Sequence, residues 1–225
     1  MDNQQWIQRW REGRTPFHQE QVNPWLLHYR HLLEPLAGCS VLVPLCGMSV
    51  DMGHLADAGA LVTGVDVAEQ PLRQFFRQRN LDPVQEFRAG TPVFRAGPFT
   101  LLAGDFLQEA ERLAGPWNVI WDRAALIALP GHQRRPYADL LLRLLAPGGR
   151  ILLVGLEYDD SLMDGPPYNV PAESIEELFK AAGSVEMLAR KELDRDNLQQ
   201  RIHDLTWVKE TVFLITSTHG DGRPS

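Results

Sequence analysis

Apolar and polar positions divide this chain into short, almost wholly apolar runs separated by helical stretches. The first run, Val41-Leu42-Val43-Pro44-Leu45, ends at a small-residue turn. A helical stretch over 49–58 follows, and a second run over 61–66 closes on a carboxylate, Asp66. That order, strand, turn, helix, strand, acid, opens a doubly wound nucleotide-type fold. Further runs predict strands at 99–103, 117–121 (Trp117-Asn118-Val119-Ile120-Trp121) and 150–155, and strand-like runs cover 184–190 and 208–217. Helices are expected at 68–79, at 132–146 with a stop at Ala146-Pro147-Gly148-Gly149, and at 172–182. Alternation of this kind favours a mainly parallel sheet covered on both faces, and the polar stretch between the last two strands offers no crossover with an apolar face, which suggests an antiparallel final pair.

Two regions break the alternation. Residues 3–34 read as two helical pieces, interrupted near Gly13 to Pro16 and near Pro24, and they crowd together Trp6, Trp10, Phe17, Trp25 and Tyr29. Trp6 and Trp10 share a helix face, which suits either a cover packed on the core or a lid over a ligand. Residues 80–98, with their prolines and glycines, read as an irregular loop or a short hairpin. The tail from Gly220 to Ser225 is expected to be disordered.

A length of 225 residues predicts one large domain, and 44% hydrophobic residues suffice for its core. A net charge of −7 argues against non-specific nucleic-acid binding. The start of the chain shows no signal-peptide pattern, and no segment has the apolar length of a membrane span. A soluble, cytoplasmic protein is the expectation. Cys39 and Cys46 are too few for a disulfide framework or a cysteine-rich zinc site, and the histidines, His132 among them, lack metal-ligand spacing. Cys46 reads as a small residue at a tight corner rather than as a reactive thiol.

The fold alone accommodates NAD, FAD or S-adenosylmethionine. The turn Pro44-Leu45-Cys46-Gly47-Met48-Ser49 holds one glycine, without the three-glycine fingerprint or the P-loop lysine that cradle phosphates. S-adenosylmethionine has no phosphate and needs a carboxylate for its ribose. Asp66, nineteen residues after Gly47, stands where that acid is expected. Asp105 and Phe106, after the 99–103 strand, could meet the amine and face of adenine.

Specific blocks then become recognisable. Trp10 through His18 with Gln19-Glu20, Val43-Pro44-Leu45-Cys46-Gly47 with Ser49 and Asp51-Met52, and Trp121-Asp122-Arg123-Ala124-Ala125-Leu126 resemble the thiopurine S-methyltransferase family. Tyr158, Gly165-Pro166-Pro167-Tyr168 and Val170 extend the likeness, which runs from about residue 6 to 217. The resemblance implies a Rossmann-like class I fold: a seven-stranded, mainly parallel sheet with an antiparallel last strand and an N-terminal helical cover at 1–36. It implies methyl transfer from S-adenosylmethionine to the sulfur of a small aromatic or heterocyclic thiol, with bacterial relatives that methylate selenium or tellurium. It places Trp10, Leu45, Asp66 and Arg123 on the cofactor, Asp105 and Phe106 near adenine, and Phe17 near the acceptor. Arg123 is also suited to a thiolate or acceptor anion, and Arg201 is a second candidate acceptor contact. Two positions depart from the family pattern. Met48 stands where lysine is usual, and Asp66 where glutamate is usual.

No catalytic base emerges, which agrees with acceptors acidic enough to react as thiolates. His18 reads as a cap of the second helix. A monomer acting on small molecules is expected. The rival readings are a methyltransferase of specialised metabolism acting at sulfur, oxygen or nitrogen, an inactive cofactor-binding module, and a nicotinamide oxidoreductase.

Overall fold

The computed structural model describes residues 2–109, 112–113, 115–193 and 205–218. The chain divides into two compact units, Met1–Leu113 and Ala114–Ser225.

The first unit begins with α1 (Asn3–Arg11), whose N-terminus is closed by a reciprocal capping box between Asp2 and Gln5. The chain then leaves the helix through Gly13, at a φ of +67°. A short helix α2 (Pro24–Tyr29) follows, with proline at its first turn and Asn23, not His18, as its cap. The strands are β1 (Ser40–Pro44), β2 (Leu61–Asp66), β3 (Val84–Arg88), β4 (Thr91–Ala96) and β5 (Phe99–Ala103), in the spatial order β3-β4-β5-β2-β1. β1, β2 and β5 are parallel and in level register, Pro44 opposite Val65 and Asp66 opposite Ala103. Their carboxyl ends therefore finish side by side.

The helices α3 (Asp51–Asp57) and α4 (Glu69–Gln78) follow β1 and β2. α4 turns Leu72, Phe75 and Phe76 inward, where both phenylalanines meet the ring of Phe99 edge-on. This apolar stripe fixes the helix on the sheet. A one-turn helix α5 (Phe106–Glu109) follows β5.

The second unit contains β6 (Trp117–Arg123), α6 (Gly131–Leu144), β7 (Leu145–Tyr158), α7 (Ala172–Phe179), β8 (Ser184–Glu192) and β9 (Val208–Thr216). Its strands lie in the order β6-β7-β9-β8. β6 and β7 are parallel, and β9 is antiparallel to both β7 and β8. The antiparallel last strand expected from the sequence is present.

Nine strands are described rather than seven. The additional pair is the β3–β4 hairpin within 80–98, antiparallel to itself and to β5. Proline and glycine punctuate this segment, but Val84 to Ala96 still alternates enough to pair. β7 also starts earlier than expected: pairing with β6 jumps from Trp117–Leu145 to Val119–Arg150, and Pro147-Gly148-Gly149 loops out between them. Among the described residues no helix is long and apolar enough to cross a membrane.

Candidate active site

The site is organised by the turn that follows β1. Leu45 and Gly47 both take positive φ, 48° and 50°. For leucine this is a strained conformation, held by the structure around it. Cys46 N–H donates to the carbonyl of Val65, and Gly47 N–H donates to Asp66 Oδ2 at 2.8 Å. On the other flank, Gly104 N–H donates to the carbonyl of Asp66. The end of β2 is thus tied to the turns after both neighbouring strands.

Asp66 is 8% exposed. Its second oxygen, Oδ1, accepts from Ala68 N–H at 2.8 Å. Burial pushes its carboxyl up to about 6, while the hydrogen bonds from Ala68 and Gly47 pull the other way. With one backbone donor on each oxygen, a lone pair remains on each. Two adjacent hydroxyls are a complementary donor set, so this carboxylate fits a ribose edge.

A helix N-terminus usually attracts phosphate. Here the first residue of α3 is Asp51, a buried carboxylate that accepts from Asn23 N–H at 2.8 Å. A fixed acid at that position opposes a pyrophosphate.

Cys46 is a buried corner residue, as its position suggested. A Cβ on Gly64 would lie 2.7 Å from Cys46 Sγ, so the thiol fills the space that glycine leaves. Burial first, and the charge of Asp66 second, push the thiol well above its ordinary range. It is held as a neutral thiol and is not a nucleophile.

Trp10 is buried, with its indole laid on Gly47, where a Cβ would come within 2.6 Å of Cζ2. Phe17 meets Trp6 and Trp10 edge-on, each with ring centroids 5.4 Å apart. Met48, in place of the family lysine, is buried and presents an apolar side chain.

Asp105 follows β5. Its Oδ1 accepts from Leu107 N–H at 2.9 Å, capping α5, and its Oδ2 accepts from Asn3 Nδ2 at 2.6 Å. Phe106, next to it, is buried. Trp10, Phe17, Leu45, Asp66, Asp105 and Phe106 therefore belong to one unit, around the level ends of β1, β2 and β5. The structure adds Asn3, which sequence reasoning missed. Asn3 finds its partner 102 residues away, and no local pattern marks such a pair.

Arg123 is the last residue of β6 in the second unit. Its neighbour Asp122 is fully buried and accepts from Tyr137 Oη at 2.7 Å and from Leu126 N–H at 3.1 Å. Burial raises Asp122 to about 6 against those hydrogen bonds. In the same unit Arg134 donates to the carbonyls of Leu129 and Asn169 and lies over the ring of Tyr168, while Tyr158 Oη donates to the carbonyl of Pro167 at 2.7 Å. Arg201 lies outside the described residues, as does the tail from 219. No cluster of metal-binding side chains occurs among the described residues.

The family model described as thiopurine S-methyltransferase matches residues 1–218 of this chain. A thiopurine S-methyltransferase of Bordetella petrii is 38% identical over 194 residues, covering 86% of this chain and 88% of the relative. One from Pseudomonas paraeruginosa is 36% identical over 211 residues, covering 93% and 96%. Among solved structures, the Burkholderia thailandensis 1,6-didemethyltoxoflavin-N1-methyltransferase, crystallised with its substrate and S-adenosylhomocysteine, superposes with a TM-score of 0.65. It is 17% identical and the match covers 96% of this chain and 87% of that one. The Bradyrhizobium japonicum N-methyltransferase NodS, with S-adenosylhomocysteine, gives a TM-score of 0.62 at 16% identity, covering 96% and 99%. At these identities the structural matches establish the fold.

Proposed function

Because this chain belongs to the thiopurine S-methyltransferase family, we propose that it methylates the sulfur of a small aromatic or heterocyclic thiol. It is an S-adenosylmethionine-dependent methyltransferase. The observation that carries the cofactor assignment is Asp66, a buried carboxylate at the end of β2 with one lone pair left on each oxygen. The acid at the start of α3 and the single-glycine turn count against the nicotinamide reading.

When bound, S-adenosylmethionine supplies a methyl group on a sulfonium, which an acceptor displaces in line. The protein holds the cofactor's ribose through Asp66. The Asp105–Phe106 turn bounds the adenine side. Trp10, packed on Gly47, closes the far side and keeps water out. Water exclusion and near-attack alignment are the main contributions expected in such a transfer. Phe17, edge-on to two tryptophans, offers an aromatic surface to the acceptor. Arg123 and Arg201 are assigned to acceptor binding, Arg123 also to the cofactor carboxylate, where a cation stabilises a thiolate. Cys46 does not relay the methyl group, because its thiol is buried and neutral.

Met48 favours a second reading. A buried apolar side chain in place of lysine suits an acceptor of specialised metabolism, methylated at sulfur, oxygen or nitrogen. Selenium and tellurium compounds remain within the same chemistry. One experiment separates these acceptors. The enzyme is incubated with methyl-labelled cofactor and a panel of aromatic thiols, phenols, amines, selenite and tellurite. Label on thiol sulfur is expected. Label confined to oxygen or nitrogen refutes the sulfur assignment.

A further inference from the structure

Both ends of α1 are attached to the sheet, at different strands. At its start, Asn3 Nδ2 donates to Asp105 Oδ2, just after β5. Near its end, the Trp10 indole covers Gly47, just after β1. β2 lies between β5 and β1, and Asp66 is its last residue. The lengths agree: seven residues of helix rise about 10 Å, and two strand spacings come to about 9.6 Å. α1 therefore crosses the carboxyl ends of β1, β2 and β5, with the candidate ribose acid beneath its middle.

The two attachments differ in kind. The Trp10 end is buried and braced by Phe17. The Asn3 end is an exposed side-chain hydrogen bond, shared with a long contact from Gln108 Nε2 at 3.5 Å. The helix cap does not use Asn3, since Asp2 and Gln5 form the capping box. Breaking the Asn3 bond thus leaves α1 intact and frees only its start.

We propose that α1 is a strap over the cofactor, latched at Asn3–Asp105, and that these two residues position it and set how fast the cofactor leaves. The inference rests on the reading of Asp66 as the ribose carboxylate. Asn3 is a positioning residue that touches no reacting atom.

The test is a double-mutant cycle with S-adenosylhomocysteine on the full-length protein. Asn3→Ala removes the donor. Asp105→Ser keeps a cap acceptor for Leu107 but is too short to reach Asn3. Asn3→Asp places two carboxylates against each other. Dissociation rates are read by stopped-flow tryptophan fluorescence, alongside melting temperature and kcat at saturating cofactor. Each single variant is expected to speed dissociation about threefold to tenfold, the net range for one ordinary intramolecular hydrogen bond at an exposed site. The double variant should be no faster than the faster single one, and Asn3→Asp should be the fastest of the Asn3 variants. Melting temperature and kcat should hold in Asn3→Ala. An Asn3→Ala variant with wild-type dissociation, or additive effects in the double variant, overturns the latch. Wild-type protein that binds no S-adenosylhomocysteine instead overturns the Asp66 reading beneath it, so the two failures are distinct.

Discussion

Gly47 N–H points at Asp66 Oδ2 from 2.8 Å, while the same glycine's α-carbon carries the indole of Trp10. One residue thus orients the candidate ribose acid on one side and seats the N-terminal helix on the other. Both tasks depend on the absence of a side chain. The φ of +50° is accessible to glycine at little cost, and the indole occupies the place of a Cβ.

Gly47→Ala should therefore couple two losses. The strained φ and the displacement of Trp10 are expected to cost about 1–3 kcal/mol of stability. Cofactor affinity should fall with it, because Trp10 leaves the turn. Thermal melts and calorimetry with S-adenosylhomocysteine check this. An unchanged tryptophan emission spectrum together with unchanged affinity would contradict the packing described.

Replacing Asp66 should abolish the ribose contact. Asp66→Asn is expected to weaken S-adenosylhomocysteine about a hundredfold, the loss of about 3 kcal/mol in charge-assisted hydrogen bonds. The wild-type affinity should also depend on acidity. Asp66 binds hydroxyl donors best when ionised, and its free pKa lies at about 6. Affinity should therefore decline as pH falls below that value, and Asp66→Asn should flatten the decline. Calorimetry from pH 5 to 8 measures both; an equal pH profile in the variant would remove Asp66 from the role.

Asp122 should act on stability rather than on the cofactor. Its carboxyl is at about 6 in the folded protein against 3.8 in the ordinary state. The folded state therefore holds its proton longer, and this contribution is present below pH 3.8 and lost as pH rises through 6. The change is on the order of 3 kcal/mol. Asp122→Asn should remove that slope. Asp122→Ala should remove the same slope and also cost about 2–3 kcal/mol where the wild-type carboxyl is ionised, with a larger cost at low pH, because Tyr137 Oη and Leu126 N–H lose their buried acceptor. Urea melts at pH 4, 6 and 8 decide it; since Asp66 adds a slope of the same sign, the comparison is between variant and wild type.

Cys46 should resist alkylation. In the native protein at pH 8, iodoacetamide is expected to modify Cys39, which is partly exposed, well before Cys46. Cys46→Ser should retain methyl transfer. Peptide mapping after timed labelling gives the order, and rapid modification of Cys46 in the folded enzyme would refute its buried, neutral state.

Much of this was legible in the sequence because local patterns carry it. The spans of β2 and β5 follow from apolar runs bounded by turn residues. The acid at position 66 follows from its spacing to Gly47, and Cys46 from its place at a corner. The β3–β4 hairpin was legible only as an alternative. Its strands lie at an edge, where β3 is exposed along its length and no apolar run marks it.

The sequence by itself determined the order of elements, the family and the acid presented at the end of β2, since each is written in residues close together along the chain. Tertiary structure alone decided what those residues meet. It placed Asn3 against Asp105 and the Trp10 ring on Gly47, buried Asp122 under Tyr137, and shifted the acids through desolvation. Such contacts join residues far apart in the chain, and the burial that moves a pKa is a property of the packed interior, which no stretch of sequence contains.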